Sequence, residues 1–403
     1  MKRWQRRLHF LTSSDKTVPN LRRGISLHGH TQFSRENLGF LNHHIDTVPI
    51  VAQITRHALA RYRRDHGEDL DFNRAYWSAP LSPSDARDLE RKQIQDALGL
   101  EGTVSLTDHD TIEGVMEWQC GGDPDGLASL EWTLPYGPAY FHLGVHNLPR
   151  TQARELTARL LAYTALPDEC QLGELLAMLD RIPDVLLVLN HPFWKVEAVD
   201  TISLDAILHS FLRSYGRYIH ALEVSGLRPW PENQRVLELA ERLRMPVVSG
   251  GDRHGWEANT MLNLTSAGSF SEFVEEIRQD GRSEIAVMPN YQEPFGLRMM
   301  QVAWDVLREY PDHPNGRRHW ADRVFFEWGD GTVRPLSRCF KNGLPKELRL
   351  LTSAMAQLER QPWHTLVHAA WSLRGSSDRI PPKRQSRRSA ARPALPSGEG
   401  SVA

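Results

Sequence analysis

Between residue 24 and about residue 292, short apolar runs alternate with longer amphipathic stretches, and this alternation restricts the chain to an α/β fold of repeated strand–helix units. One amphipathic stretch begins at Pro83-Ser-Asp and is followed by Gly99, which predicts a helix over 83–98. The apolar runs predict strands at 25–27, 104–107, 128–130, 185–189, 221–224 and 246–249.

Five of the predicted strands end in His, Asp or Glu. The residues concerned are His28 and His30, His109, Glu131 (with His142 further on), His191, and Asp252 with His254. In a parallel barrel every strand opens on the same face, so these side chains are expected to converge there. Burying so many titratable groups together costs several kcal/mol per charge unless something compensates. Divalent cations compensate directly, and donors of nitrogen and oxygen alone favour Mn²⁺, Fe²⁺ or Zn²⁺.

Taken as a set, these motifs resemble the PHP (polymerase and histidinol phosphatase) superfamily. The matching segments are His28-Gly-His30-Thr31, Thr107-Asp-His109-Asp110, Glu131, His142, His191-Pro192 and Gly251-Asp252-Arg-His254. The resemblance implies a distorted (β/α)7 TIM-like barrel that holds two or three divalent metal ions and hydrolyses phosphate esters. The ligands it implies are His28, His30, His109, Glu131, His142, His191, Asp252 and His254, with Glu131 bridging two ions and Asp252 and His254 beside the reaction.

One position departs from the family, which generally has an Asp or His ligand where this sequence has Arg35. A guanidinium has only donors and stays protonated, so it does not bind a metal ion. Either Glu36 or the His43-His44 pair replaces the missing ligand, or the third ion is absent. We expect two ions, with Arg35 binding the substrate phosphate through a bidentate fork.

Other polar residues on the same predicted face have two interpretations. Asp108 and Asp110 flank His109, where they either orient its ring or act as ordinary turn residues. Glu223 ends a strand and is expected to support a ligand more readily than to be one. Arg228 and Arg253 either contact phosphate or are solvated.

The remaining segments predict appendages to the barrel. Residues 1–23 form a basic leader, 38–80 an insertion that caps one face of the barrel domain (24–292), and 293–374 a helical extension. Residues 375–403 are rich in Ser, Pro, Gly and Arg, which predicts a disordered tail.

The composition limits the kinds of partner and substrate that we expect for this protein. The formal net charge of −2 offers no general attraction for long nucleic acid or a membrane, although nucleic-acid ends stay open as substrates. Three scattered cysteines and the lack of a secretory apolar segment indicate a cytoplasmic protein. We expect the substrate to be a phosphorylated small molecule or nucleotide. The alternatives are amidohydrolase-type cleavage of a non-phosphate bond and a non-catalytic scaffold of the same fold.

Overall fold

The computed structural model describes residues 5–12, 20–39, 49–120, 126–194, 201–257, 259–313 and 315–358. Their strands are β1 (Gln5–Phe10), β2 (Arg23–Ser26), β3 (Glu36–Asn37), β4 (Ala75–Trp77), β5 (Glu101–Val104), β6 (Leu130–Tyr136), β7 (Ala139–His146), β8 (Leu186–Asn190), β9 (Ala221–Ser225), β10 (Val247–Gly250), β11 (Met261–Thr265), β12 (Arg282–Val287), β13 (Val324–Glu327) and β14 (Val333–Pro335). Their α-helices are α1 (Pro49–His66), α2 (Pro83–Leu98), α3 (Glu113–Cys120), α4 (Ala153–Ala165), α5 (Glu169–Asp180), α6 (Thr201–Tyr215), α7 (Trp230–Leu243), α8 (Phe270–Glu275), α9 (Phe295–Leu307) and α10 (Lys346–Leu358).

The predicted helix over 83–98 is confirmed as α2, and its ends follow from its sequence. The side chain of Ser82 accepts the N–H of Asp85 at the start. At the end, Gly99 adopts a left-handed conformation with φ of 65°, which glycine does without steric penalty.

Two five-stranded sheets carry most of the fold. One has the order β1-β12-β11-β2-β5 and the other β10-β9-β8-β7-β6. Parallel pairs (β2 with β5, and β8, β9 and β10 in succession) give the α/β character expected from the sequence. Strand β7, however, runs antiparallel to both β6 and β8, and β11 runs antiparallel to both β2 and β12.

The mixed α/β class is therefore confirmed, but the described residues form no closed barrel. At the gap between β10 of one sheet and β11 of the other, the side-chain amide of Asn263 accepts the backbone N–H of Ser249 at 2.7 Å. The same amide donates to the backbone carbonyl of Ser249 at 2.8 Å. That side chain uses the backbone groups that a neighbouring strand would need. Elsewhere the sheets approach each other through isolated bridges, Gly29 with Arg253 and His109 with Glu131.

A third sheet, which we call the cap sheet, has the order β14-β13-β4-β3 and is antiparallel throughout. It joins the predicted insertion (38–80) to the predicted extension (293–374), which we expected to be separate appendages of the barrel. Its strands and helices α1 and α10 surround one apolar core that includes Tyr62, Trp77, Phe326 and Phe340. We call residues 36–39, 49–77, 295–313 and 315–358 together the cap unit.

Part of the predicted leader belongs to a sheet, because β1 runs parallel to β12 along its whole length. His43, His44 and the predicted tail, 375–403, lie outside the described residues. None of the described helices has both the length and the apolar character that crossing a bilayer requires.

Candidate metal centre

The eight predicted ligands lie in one cluster. His28 and His30 follow β2, His109 follows β5, His191 follows β8, and Asp252 and His254 follow β10. Glu131 and His142 do not follow the ends of separate parallel strands as we expected. Both lie within the β6–β7 hairpin, in which Thr133 pairs with His142. The hairpin thus brings a second strand to a face that we expected to consist of strand ends alone.

Glu131 is at the centre of the cluster. Its side chain is buried, and its Oε2 lies 3.0 Å from Nε2 of His28, 3.5 Å from Nε2 of His30 and 3.4 Å from Nδ1 of His109. Its Oε1 lies 3.2 Å from Nδ1 of His142 and 3.2 Å from Nε2 of His191. One carboxylate therefore faces five imidazoles.

A second carboxylate in the cluster is Glu36. Its Oε2 lies 3.0 Å from Nε2 of His109 and 3.2 Å from Nε2 of His254, and its Oε1 lies 3.6 Å from Nδ1 of His30. Asp252 completes the cluster, with Oδ1 3.5 Å from Nε2 of His30.

The structure places Arg35 away from this cluster. The side chain is exposed, and its guanidinium carbon lies over the ring of Tyr76, 5.1 Å from the ring centre. Successive side chains alternate between the two sides of an extended chain, so Glu36 faces the cluster and Arg35 the opposite side. The expectation that Arg35 binds the reacting phosphate is therefore at odds with the geometry.

Several neighbours orient the predicted ligands. Oε1 of Glu223 lies 2.9 Å from Nδ1 of His28, and its Oε2 accepts the backbone N–H of His191 at 2.9 Å. Asp108 accepts the N–H and the hydroxyl of Thr31 at 2.6 and 2.8 Å, so it holds the loop after His30 rather than the ring of His109. Sequence reasoning placed Glu223 near the site, but only the fold shows which two groups it binds.

The two arginines predicted on this face differ in position. Arg253 is buried, and its Nε donates to Glu90 at 2.7 Å, which makes it a structural ion pair. Arg228 lies at the edge of the cluster, with Nη2 3.6 Å from Oδ2 of Asp252 and the guanidinium over the ring of Trp194. A cavity of about 590 Å³ adjoins Asp252 and separates it from α9.

The carboxylates of the cluster raise the pKa of three of its histidines. Burial by itself lowers the pKa of His28, but Glu131, Glu223 and Asp252 raise it well above its usual value. Burial is likewise outweighed at His109 and His254, where Glu36 is the main opposing charge and the pKa rises to about 10 and about 9.

Two other predicted ligands, His30 and His142, behave in the opposite way. At His30 and His142 burial prevails, and the pKa falls to about 4. Burial raises the pKa of a carboxyl group, but the surrounding histidines hold those of Glu36, Glu131 and Asp252 well below the ordinary range. The carboxylates are thus ionised and depend on nearby positive charge.

The donor set fits divalent metal ions. Nδ1 of His142 is buried and has no hydrogen-bond partner among the described residues, although Oε1 of Glu131 is 3.2 Å away. Nε2 of His28 and Nε2 of His30 face each other at 3.2 Å. Lone pairs directed at a common point are expected around a cation. Four groups of side chains bring their donor atoms within 4.8 Å of one another: His28–His30–Glu131, His28–His191–Glu223, His30–Glu36–His254 and His109–Glu131–His142.

Comparisons with known proteins gave limited similarity. No family model matches the chain, and no curated protein matches its sequence. Among solved structures, a candidate metal-dependent phosphoesterase from Bifidobacterium adolescentis is similar over 49% of this chain and 91% of its own, with 16% identity and a TM-score of 0.29. An amidohydrolase from Chromobacterium violaceum, solved with sulfate and without metal, is similar over 44% of this chain and 83% of its own, with 16% identity and a TM-score of 0.28.

Proposed function

We propose that this protein is a metal-dependent hydrolase that cleaves phosphate esters at the cluster around Glu131. The observation that carries the proposal is the single buried carboxylate within 3.5 Å of five imidazole nitrogens. A purely structural network would pair each buried polar group with a complementary donor or acceptor. Here several nitrogens converge on the same oxygens, which supports a site built for cations.

We assign the metal ions to the side chains that surround Glu131, and we include Glu36 among the ligands. His30, Glu36 and His254 form one of the four candidate groups, and on this basis we propose three ions in place of the two that we expected from the sequence. When bound, such ions lower the pKa of coordinated water and offset the charge that develops during hydrolysis. Mn²⁺, Fe²⁺ and Zn²⁺ all suit these donors.

The residues of the chain itself have separate tasks in this proposal. Glu223 binds His28 and the backbone of His191, and so holds two ligands in place. Arg228 presents a guanidinium beside Asp252, where an anionic substrate oxygen would gain a charge-assisted hydrogen bond. This positive group at the edge of the cluster favours a phosphate ester over a neutral amide.

The test is hydrolysis of p-nitrophenyl phosphate and a panel of nucleotide and sugar phosphates with added Mn²⁺ or Zn²⁺. We expect Asp252→Asn to lower turnover by roughly 100-fold, because it removes a negative ligand from the cluster. Asp205→Asn is the control, since Asp205 forms a partly exposed ion pair with Arg235 and is not among the candidate ligands. A metal-loaded protein that cleaves amides but no phosphate ester would contradict the proposal.

A further inference from the structure

The guanidinium of Arg228 is not fixed by close side-chain hydrogen bonds within the described part of the chain. Its Nη2 lies 3.6 Å from Oδ2 of Asp252 and its Nε lies 3.9 Å from Oε1 of Glu232, both beyond hydrogen-bond length. Nε is buried without a hydrogen-bond partner among the described residues, and the group lies 5.5 Å from the ring centre of Trp194. The position of this guanidinium therefore depends on how the backbone of its loop is held.

The loop between β9 and α7, which carries Arg228, is held through its backbone carbonyls. The carbonyl of Arg228 accepts the hydroxyl of Tyr291 at 2.8 Å and Nη2 of Arg298 at 3.2 Å. Nη1 of Arg298 donates to the carbonyl of Gly226, which also accepts the hydroxyl of Thr260 at 3.0 Å. One guanidinium thus binds two carbonyls of the same loop.

Tyr291 is itself fixed on two sides. Its hydroxyl accepts Nδ2 of Asn233, in α7, at 2.7 Å, and its ring centre lies 4.2 Å from the guanidinium carbon of Arg298. Burial raises the pKa of Tyr291 to about 12, so the hydroxyl keeps its proton and donates it to the carbonyl of Arg228. Asn233, Tyr291 and Arg298 thus hold one backbone carbonyl in a defined place.

Arg298 belongs to α9 of the cap unit, and the same side of this helix holds a second loop. Asp305 follows Arg298 by seven residues, or about two helical turns, so both buried side chains point to one side of α9. Oδ2 of Asp305 accepts the backbone N–H groups of Trp256 and Glu257 at 2.9 and 3.0 Å, in the loop after β10. The helix is therefore bound to the loops after β9 and β10 at two separate points, which fixes Arg298 relative to the candidate metal centre.

We propose that Arg298 and Tyr291 are positioning residues for Arg228, so that α9 of the cap unit sets the place of the phosphate-binding guanidinium beside the candidate metal centre. The inference rests on the proposed function, which assigns Arg228 to the anionic substrate oxygen. Hydrogen bonds weaken steeply when their distance and angle change. Loss of Arg298 or of the Tyr291 hydroxyl should therefore weaken phosphate binding although neither residue is a candidate metal ligand.

The experiment is a double-mutant cycle on the full chain loaded with Zn²⁺. Calorimetry gives the dissociation constant of phenylphosphonate, which has no ester bond to cleave, and p-nitrophenyl phosphate gives KM and kcat. We expect Arg228→Met to raise the dissociation constant roughly 10- to 150-fold, because a charge-assisted hydrogen bond is lost. Arg298→Met should raise it roughly tenfold, since the guanidinium is then misplaced rather than absent. KM should rise with kcat little changed, as expected for an interaction made equally with substrate and transition state.

The cycle separates positioning from a general structural effect. In a chain that already carries Arg228→Met, adding Arg298→Met should change the dissociation constant less than about twofold, because no guanidinium remains to be positioned. Tyr291→Phe removes one hydroxyl and should give a smaller rise in the same direction. Arg298→Lys keeps the charge and one donor group, so its effect should be smaller than that of Arg298→Met.

Arg278→Met is the matched control. Arg278 also donates to several backbone carbonyls, between residues 180 and 185, but these precede β8, whereas the cluster lies at the other end of that strand. We expect Arg278→Met to lower the stability and leave phenylphosphonate affinity unchanged. Urea unfolding checks that each variant is folded, and Tyr291→Phe tests the inference even if Arg298→Met does not fold.

Three results would overturn the inference. Additive effects of Arg228→Met and Arg298→Met would show that Arg298 acts by another route. Unchanged phenylphosphonate affinity in Arg228→Met or in Tyr291→Phe would mean that the guanidinium or its anchor does not serve the phosphate. An equal loss of affinity in Arg278→Met would show a general effect of stability.

The two proposals fail in different ways. If the phosphonate binds and the cycle is non-additive but no phosphate ester is cleaved, the positioning role remains and the proposed function is wrong. If phosphate esters are cleaved and the cycle is additive, the hydrolase remains and the positioning role is wrong.

Discussion

Glu223 provides the sharpest test of how the candidate centre is held together. Both of its oxygens are used, one at 2.9 Å from Nδ1 of His28 and the other at 2.9 Å from the backbone nitrogen of His191. The glutamine in Glu223→Gln has the same shape but only one carbonyl oxygen. The N–H of the His28 ring or the backbone N–H of His191 must then face the NH2 group of the glutamine, which is also a donor.

The magnitude follows from this geometry. The substitution removes one charge-assisted hydrogen bond, worth about 1.5–3 kcal/mol, and leaves a buried donor unsatisfied at about 1–3 kcal/mol. We expect the free energy of unfolding of the metal-free protein to fall by the sum of the two, about 2.5–6 kcal/mol. Because partners that orient a metal-binding histidine typically contribute 10- to 100-fold to affinity, Zn²⁺ should bind about that much more weakly.

Urea unfolding gives the first quantity, and competition with a chromophoric chelator gives the second. The control is Glu284→Gln. Oε2 of Glu284 lies 2.8 Å from Nε2 of His9, both side chains are partly exposed, and both residues lie in the five-stranded sheet that does not contain Glu223. That change should cost less than about 1 kcal/mol and leave Zn²⁺ affinity unchanged. Equal Zn²⁺ affinity in Glu223→Gln and wild type would refute the reasoning.

Gly250→Ala tests the same contact from the other side. A methyl group at this position would collide with the carboxylate of Glu223 and would also crowd Cβ of His28, so the contact between these two side chains would have to open. We expect the same loss of Zn²⁺ affinity with the carboxylate chemically intact, measured by the same competition. Tight binding in this variant would mean that Glu223 does not position His28.

Three further predictions concern other contacts. Glu36→Gln should lower the number of bound metal ions from three to two, as counted by elemental analysis of dialysed protein; an unchanged count would remove Glu36 from the ligands. Glu90→Gln leaves the buried guanidinium of Arg253 without a counter-charge, and we expect a loss of about 3–5 kcal/mol in urea unfolding. Burial lowers the pKa of His220 from 6.5 to about 4, and its Nδ1 accepts the backbone N–H of Leu187, which requires the neutral ring. The unfolded chain therefore binds the proton more readily, and stability is lost as the pH falls from 6.5 towards 4, by about 2 kcal/mol at pH 5. His220→Gln should remove that part of the pH dependence, and identical pH profiles would contradict it.

Local patterns in the sequence were informative about the elements and about which residue types belong to the site. The Pro-Ser-Asp start and the glycine stop predicted α2 to the residue, because capping is decided by side chains within a few positions. Histidines and carboxylates that follow apolar runs were predicted to meet, since neighbouring parallel strands end at the same edge of a sheet. These are properties of short segments, and a sequence displays them directly.

Tertiary structure decided what depends on contacts between distant segments. The sequence alone could not choose between Arg35 and Glu36, because the choice depends on which side of the extended segment at the start of β3 faces the cluster. It also could not show that residues near 76 and near 325 pair in the cap sheet, since roughly 250 positions separate them and pairing has no local signal. The gap between β10 and β11 is another case, because a single amide, that of Asn263, replaces the strand pairing there. Residue types thus determined that this chain gathers imidazoles and carboxylates, and the packing of its sheets determined which of them meet and what lies beside them.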